Sequence, residues 1–270
     1  MSETVVQRPW DANAAARSVL QASGVAWFAA ACIGQWLFAY HIAATYIATA
    51  FAGNLAAWNH RLFVGLVPGD AIGNAALAAH LFIAFVITIG GTLQLIPQVR
   101  TYAPAFHRWN GRLYMLIAFV TSIAALYMIW TRDTFGPDAL EIPVSIDGVL
   151  ILIFAAIALR HAMARRIDIH QRWALRLFIV VSGVWFTRII YGVLRVIPGD
   201  TPGTTDDMAG PTNLVIGYAS FLLPLAVLEL YFLAKQSQSA SAKYAAAALV
   251  FFAAIATGVG AYGAAAGWLS

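Results

Sequence analysis

Among the ionisable side chains inside long apolar runs of this 270-residue chain, four stand out. They are His41, His80, Arg188 and Glu229. An ionisable group within a membrane span is costly, because hydrocarbon does not solvate it, and it is a functional hypothesis by default. We therefore take these four positions as the first candidates for chemistry.

His41, His80 and Arg188 lie at about the same depth if each apolar run is a helix. With a rise of about 1.5 Å per residue, they lie roughly 15 Å, 14 Å and 14 Å from the outer ends of their runs. Two imidazoles at one depth on neighbouring helices are what a bis-histidine haem b requires. An arginine at that depth would pair with a haem propionate. The alternative is that each histidine hydrogen-bonds a neighbouring helix or lines a small wet cavity.

Glu229 lies in the inner half of its run, after Pro224, a residue type that kinks helices. One hypothesis is that its carboxyl carries protons. The favoured alternative is an internal hydrogen bond to a tyrosine or an arginine.

Two polar segments each combine histidine, arginine and tryptophan at the start of an apolar run. The first is HRWNGRLY, residues 107–114, and the second is DIHQRWALR, residues 168–176. Helix N-termini with arginines form anion sites, so we expect a phosphate, a haem propionate or a quinone head group here. The alternative is that the arginines bind anionic lipid head groups, as basic loops do. The contributing arginines are Arg100, Arg108, Arg112, Arg172 and Arg176. His107 and His170 are candidates for a second, inner haem pair, and His161 lies near the same surface.

The composition requires the apolar runs to lie in a membrane. The chain is 61% hydrophobic and 10% charged, whereas soluble domains carry about 25% charged residues. Long uninterrupted runs favour helices, which satisfy their own backbone hydrogen bonds in lipid. The prediction is an all-α transmembrane helix bundle, which excludes a soluble enzyme. The single cysteine, Cys32, excludes an internal disulfide, an iron–sulfur cluster and a thiolate zinc site.

Apolar runs of about twenty residues predict seven spans. They cover about residues 24–51, 71–97, 113–130, 146–163, 173–197, 214–234 and 244–269. Residues 1–23 are predicted to form a cytoplasmic segment, and residues 24–270 a single bundle. The last span is rich in Ala and Gly, which allow close helix contacts. It holds no lysine, which excludes a retinal Schiff base of the rhodopsin kind.

Loop charge predicts a cytoplasmic N-terminus and an outer C-terminus. The loops after the second, fourth and sixth spans are basic, and basic loops face the cytoplasm. The N-terminal segment, with Arg8 and Arg17, falls on the same side. The loops after the third and fifth spans are acidic, with Asp133, Asp138, Glu141, Asp200, Asp206 and Asp207. This orientation places His41 and His80 in the outer half of the membrane and His107 and His170 near the cytoplasmic face.

Two motifs resemble those of a bacterial membrane protein family, the domain of unknown function 2306. The first consists of His80, Gln94, Pro97 and Arg100, followed by FHRxxGRxY at residues 106–114. The second is IHxRWxxR at residues 169–176, in which Ala174 stands where the family usually has methionine. Arg188 also resembles a family position. The similarity covers about residues 75–195, the second to fifth spans.

The resemblance implies a multi-helix domain in the bacterial cytoplasmic membrane and points to His80, His107 and His170. It implies no activity, because none is assigned to the family. His41 and His161 match no family position, so the partner of His80 stays open.

Three functions are compatible with these features. The first is a haem b protein that passes electrons between a quinone or redox partner protein and an outer acceptor. The second is a transporter or permease in which His80, Arg188 and Glu229 line a polar path. The third is a non-catalytic scaffold or assembly subunit that docks a partner through its arginine loops. No nucleic-acid partner is expected, because the basic residues lie in short loops between apolar runs.

Overall fold

The computed structural model describes residues 12–60, 65–132, 138–198, 201–205 and 208–269. These residues are almost entirely helical and contain no strand, which confirms the predicted all-α bundle. The α-helices are α1 Ala12–Ile42, α2 Ala48–Phe51, α3 Ala71–Leu95, α4 Pro97–Tyr102, α5 Pro104–Arg132, α6 Asp138–Met163, α7 Ile167–Val181, α8 Gly183–Val196, α9 Pro211–Gln236 and α10 Ala240–Leu269. A π-helical turn, Ala43–Ile47, joins α1 to α2, and a 3-10 helix, Leu55–His60, follows.

Six helical segments of the described chain are long and apolar enough to cross a membrane. The helices α7 and α8 make a seventh if the bent pair is counted as one span. Six helices begin earlier than the sequence predicted, and the largest differences are at α1, α5 and α6, which begin at Ala12, Pro104 and Asp138. Their polar first turns stay helical, and at α5 the proline at the helix start is favourable because its missing N–H is not needed there.

The predicted orientation rests on loop charge alone and stays a prediction. Glu141 lies in the second turn of α6. Arg8, Asp133, Asp200, Asp206 and Asp207 lie outside the described residues, as does the side chain of Asp138.

The helix α10 is a packing helix that contacts α1, α8 and α9. Its contact with α8 is close because glycines face each other across it. A Cβ on Gly192 would overlap the carbonyl oxygen of Gly260, and a Cβ on Gly263 would overlap the carbonyl oxygen of Gly192. Small residues allow this backbone-to-backbone approach in lipid. Around this contact, α3 packs on α1 and α5, while α6 packs on α5, α7 and α9.

The fifth predicted span is not a straight helix. The helices α7 and α8 meet at 56°, with Ser182 between them. No proline lies at this bend, and Gly183 begins the second helix. The prediction was therefore one continuous span where the structure has two helices.

Candidate functional site

The structure brings the three depth-matched residues of the sequence into one neighbourhood. His41, Tyr46, His80, Arg188 and Trp268 come from α1 and its π-helical turn, α3, α8 and α10, and we call them the outer group. Helices that run side by side bring residues of equal depth together. This is why depths estimated from the helical rise identified three of these five residues.

His41 is held by aromatic rings on two sides. Its ring stacks on Trp268 with the centroids 4.9 Å apart and the planes at 17°. Tyr46, in the π-helical turn, lies edge-on to it at 5.9 Å. Its Nδ1 lies 3.2 Å from Oγ1 of Thr45. A π-helical turn is frequent at functional sites, because the extra residue re-aims side chains.

Arg188 lies within electrostatic range of His80 and Tyr46 and lacks an acidic partner among the described residues. Its guanidinium carbon is 4.7 Å from the ring centroid of Phe38, which precedes His41 by one turn. One guanidinium nitrogen, Nη1, donates to the carbonyl of Val184 at 2.9 Å. His80 is within electrostatic range of this cation. The described neighbours therefore supply an aromatic face and a carbonyl, but no carboxylate, for a charge inside the membrane.

His80 lies next to an apolar groove of about 260 Å³ between α3 and the end of the first span. Its own side chain is exposed on the surface of the bundle. The groove is lined by residues that include Tyr46, Trp58, Ala78, Leu81 and Phe82. The side chain of Trp58 is held in place at this groove, because its Nε1 donates to the carbonyl of Tyr46 at 3.2 Å and to Thr49 Oγ1 at 3.0 Å.

At the opposite end of the bundle, a chain of amides fixes the ring of His107. Nδ2 of Asn110 donates to the carbonyl of Gly90 at 2.8 Å and to Oε1 of Gln94 at 2.9 Å. Nε2 of Gln94 therefore donates to Nε2 of His107, 3.3 Å away. The neutral ring then carries its proton on Nδ1, which is buried without a hydrogen-bond partner among the described residues.

His170 lies near His107, as the sequence suggested for the inner group. Its Nδ1 donates to the carbonyl of Ala158 at 2.9 Å, which leaves the lone pair of the neutral ring on Nε2. His107 is within electrostatic range of His170, Arg100 and Arg108. However, the nitrogen of His107 that would bind haem iron already accepts a hydrogen bond from Gln94. This arrangement favours an anion or an oxygen acceptor at the inner group over a second haem.

The five arginines that the sequence grouped near the inner histidines divide into two sets. Arg100, Arg108 and Arg112 are exposed, and Arg112 lies over the ring of Trp109 at 5.0 Å. They are placed to meet a ligand or lipid head groups.

Arg172 and Arg176 instead face the neighbouring helix α9. The guanidinium of Arg172 lies over Phe232 at 5.3 Å. Nε and Nη2 of Arg176 bind the two carboxylate oxygens of Glu229 at 2.6 Å and 2.8 Å. Glu229 thus has the arginine partner that was the favoured hypothesis. Arg176 is neutralised by it, so this geometry does not support a head-group role for Arg176.

A comparison with protein-family models agrees with the motif resemblance and covers a longer stretch of the chain. Residues 77–232, more than half of the chain, match the family model described as predicted membrane protein (DUF2306). The chain belongs to this family. No curated protein and no solved structure matches it. The DUF2306 match contains His80, His107, His170, Arg188 and Glu229.

His41 and Trp268 lie outside the DUF2306 match, so the outer group joins a family segment to the first and last spans. His161, on α6, has a buried Nδ1 without a hydrogen-bond partner among the described residues.

The sequence did not single out Asp147, whose carboxyl is buried against Gly183. The predicted fourth span began at residue 146, which put this aspartate at the very end of the span, and it was not among the ionisable candidates. The structure starts α6 at Asp138 and carries the helix through Pro143. Val144 and Ile146, between Pro143 and Asp147, were the available signal, because they extend the span toward Leu140.

Proposed function

We propose that this membrane protein binds haem b at the outer group and transfers electrons through it. His80 and His41 would hold the haem iron, and Arg188 would pair with a propionate. The observation that carries the proposal is the position of Arg188. It is a cation inside a predicted span, within electrostatic range of His80 and over the ring of Phe38, which precedes His41 by one turn, and it has no acidic partner among the described residues.

The residues of the outer group suit a haem in three ways. The contact of His41 Nδ1 with Thr45 is the kind of second partner that fixes the orientation of a ligand ring. The stack on Trp268 restricts rotation of the same ring. The apolar surroundings exclude water, which is one lever that sets a haem reduction potential. When bound, the haem supplies one-electron chemistry; the chain itself binds, orients and shields it.

The inner group provides the entry point for electrons in this proposal. The exposed arginines and the buried Nδ1–H of His107 suit the oxygen atoms of a quinone head group or the acidic surface of a redox partner. The two groups lie at opposite ends of the bundle, so electrons from a cytoplasmic or membrane donor would move toward an outer acceptor.

Haem content of purified variants tests the ligand assignment. We expect His80→Ala and His41→Ala each to lose haem and its iron, because one axial ligand is removed. His60→Ala is the matched control: His60 is an exposed histidine of the 3-10 helix and should retain haem. Full haem content in the His80→Ala protein would contradict the assignment.

The bend between α7 and α8 favours a transporter as the second candidate function. Broken helices in transporters bring backbone dipoles to a substrate site at the membrane midplane. Arg188 on α8 would then meet an anionic substrate. A panel of inorganic and carboxylate anions should raise the unfolding temperature of the wild type and not of Arg188→Gln. Haem binding without any such shift would favour the redox function.

A further inference from the structure

The bend between α7 and α8 places the start of a helix inside the membrane. The N–H of Ser182 donates to the carbonyls of Phe178 and Ile179, both at 3.1 Å. The N–H of Phe186 donates to the carbonyl of Ser182 at 2.9 Å. Because α8 begins at Gly183, its first N–H groups have no carbonyl one turn earlier in their own helix. The start of α8 therefore carries a partial positive charge within the bundle.

The carboxyl group of Asp147 lies against this helix start. Its Oδ2 is 2.8 Å from the position that a Cβ on Gly183 would take. The carboxyl thus uses the space left by the missing side chain of Gly183. Asp147 lies seven residues after Leu140, where the apolar span of α6 begins, so it is roughly 10 Å along that span.

Asp147 lacks the compensation that Glu229 has. Its Oδ1 is buried and has no hydrogen-bond partner among the described residues. The carboxyl is buried, and no described charged group of α5, α7, α8 or α9 lies close enough to interact with its charge. Arg176 and Glu229 bind each other, and Arg188 contacts α1.

Other polar groups gather around the bend. Nε2 of Gln35, on α1, donates to Oγ of Ser182 at 3.0 Å, and both side chains are buried. Nε1 of Trp185, two residues after Gly183, is buried without a hydrogen-bond partner in the described chain. Three helices therefore bring polar atoms to the bend where Asp147 lies.

We propose that Asp147 is a proton-binding site inside the membrane, at the start of α8. An ionised carboxylate buried without a partner is so costly that such a group takes up a proton. When the proton leaves, the carboxylate remains at the start of α8, where the helix dipole stabilises it. Both states are therefore accessible, and the site requires neither haem nor a transported substrate.

Labelling with dicyclohexylcarbodiimide tests the proposal, because this apolar reagent reacts with protonated carboxyls in lipid-like surroundings. The carboxyl adds across a C=N bond: a carbon–oxygen bond forms and the proton moves to nitrogen. The adduct then rearranges to a stable N-acylurea, and no atom leaves. Peptide mapping of the full-length protein in detergent should find the label on Asp147. Labelling should fall about tenfold per pH unit above the midpoint, as the protonated fraction does.

Glu229 is the internal control, since its carboxylate is held by Arg176 and should stay unlabelled. Asp147→Asn should remove the label, and its elution profile should match that of the wild type. Chain unfolded in dodecyl sulfate at acidic pH should be labelled at both positions, which shows that both peptides are detected. The proposal is overturned if folded protein carries no label on Asp147 at any pH, or carries equal label on Glu229. This comparison within the wild type holds even where a variant does not fold.

Discussion

Arg176 of α7 and Glu229 of α9 form a bidentate ion pair, with Nε 2.6 Å from Oε1 and Nη2 2.8 Å from Oε2. The guanidinium also lies over Trp173 at 4.6 Å and over Phe232 at 5.2 Å. Paired geometry and aromatic contacts together offset the cost of placing charge between helices. The pair joins α9 to the span that contains the bend.

Removing one partner of this pair should destabilise the bundle. We expect Glu229→Gln and Arg176→Gln each to lower the free energy of unfolding by about 1–3 kcal/mol, because a charged partner is left unpaired. The double variant should cost less than the sum of the two. Arg172→Gln is the matched control. Arg172 lies one turn before Arg176 on α7, and its guanidinium stacks on the ring of Phe232. Additive effects in an unfolding double-mutant cycle would show that the pair is not coupled.

The contact between α8 and α10 should not tolerate a single methyl group. We expect Gly260→Ala to cost about 1–3 kcal/mol, because its Cβ would overlap the carbonyl oxygen of Ile189. Gly258→Ala, on the same helix, meets nothing within 4 Å and should change stability by about 0.5 kcal/mol or less. Thermal unfolding in detergent measures both. Equal losses would contradict the close approach.

The amide chain that holds His107 should depend on Gln94. Gln94→Leu removes the acceptor for Asn110 and the donor for His107, so we expect a loss of about 1–3 kcal/mol. Gln98→Leu changes the same residue type at an exposed position of α4 and serves as the control. Chemical unfolding of the two variants measures both losses of stability. A smaller loss at position 94 than at position 98 would mean that the chain contributes no stability.

The orientation predicted from loop charge can be tested by cysteine labelling in a Cys32→Ala background. We expect a membrane-impermeant maleimide to label Asn54→Cys on intact cells, because that turn follows the first span on the predicted outer side. Gln238→Cys, between α9 and α10, should react only after the cells are broken. The reverse pattern would place the N-terminus outside.

The depth of each candidate residue along its helix follows from the sequence, whereas the neighbouring helix that its side chain contacts does not. A fixed rise per residue was enough to bring His41, His80 and Arg188 into one group. The sequence also predicted an arginine or a tyrosine as the partner of Glu229. It did not show that Arg176 turns toward α9 while Arg108 and Arg112 stay exposed, because helix rotation is set by packing between helices.

The bend and Asp147 were missed for a related reason. Hydropathy gives the length of a span but not its straightness, and Ser182 and Gly183 break the fifth span without proline. The acidic residues and Pro143 at the start of α6 were read as a loop, although the helix continues through them. Both features arise from tertiary contacts across helices rather than from local sequence preference.

The measurement that tests the central proposal most directly is a reduced-minus-oxidised absorption spectrum of the purified protein, with haem and iron quantified per chain. The protein should be made in cells supplied with haem precursor and kept folded in detergent. We expect the spectrum of a six-coordinate b-type haem, near one haem per chain, that is lost in His80→Ala and kept in His60→Ala. A wild-type protein that is folded and monodisperse but shows no haem absorption and no stoichiometric iron would contradict the account.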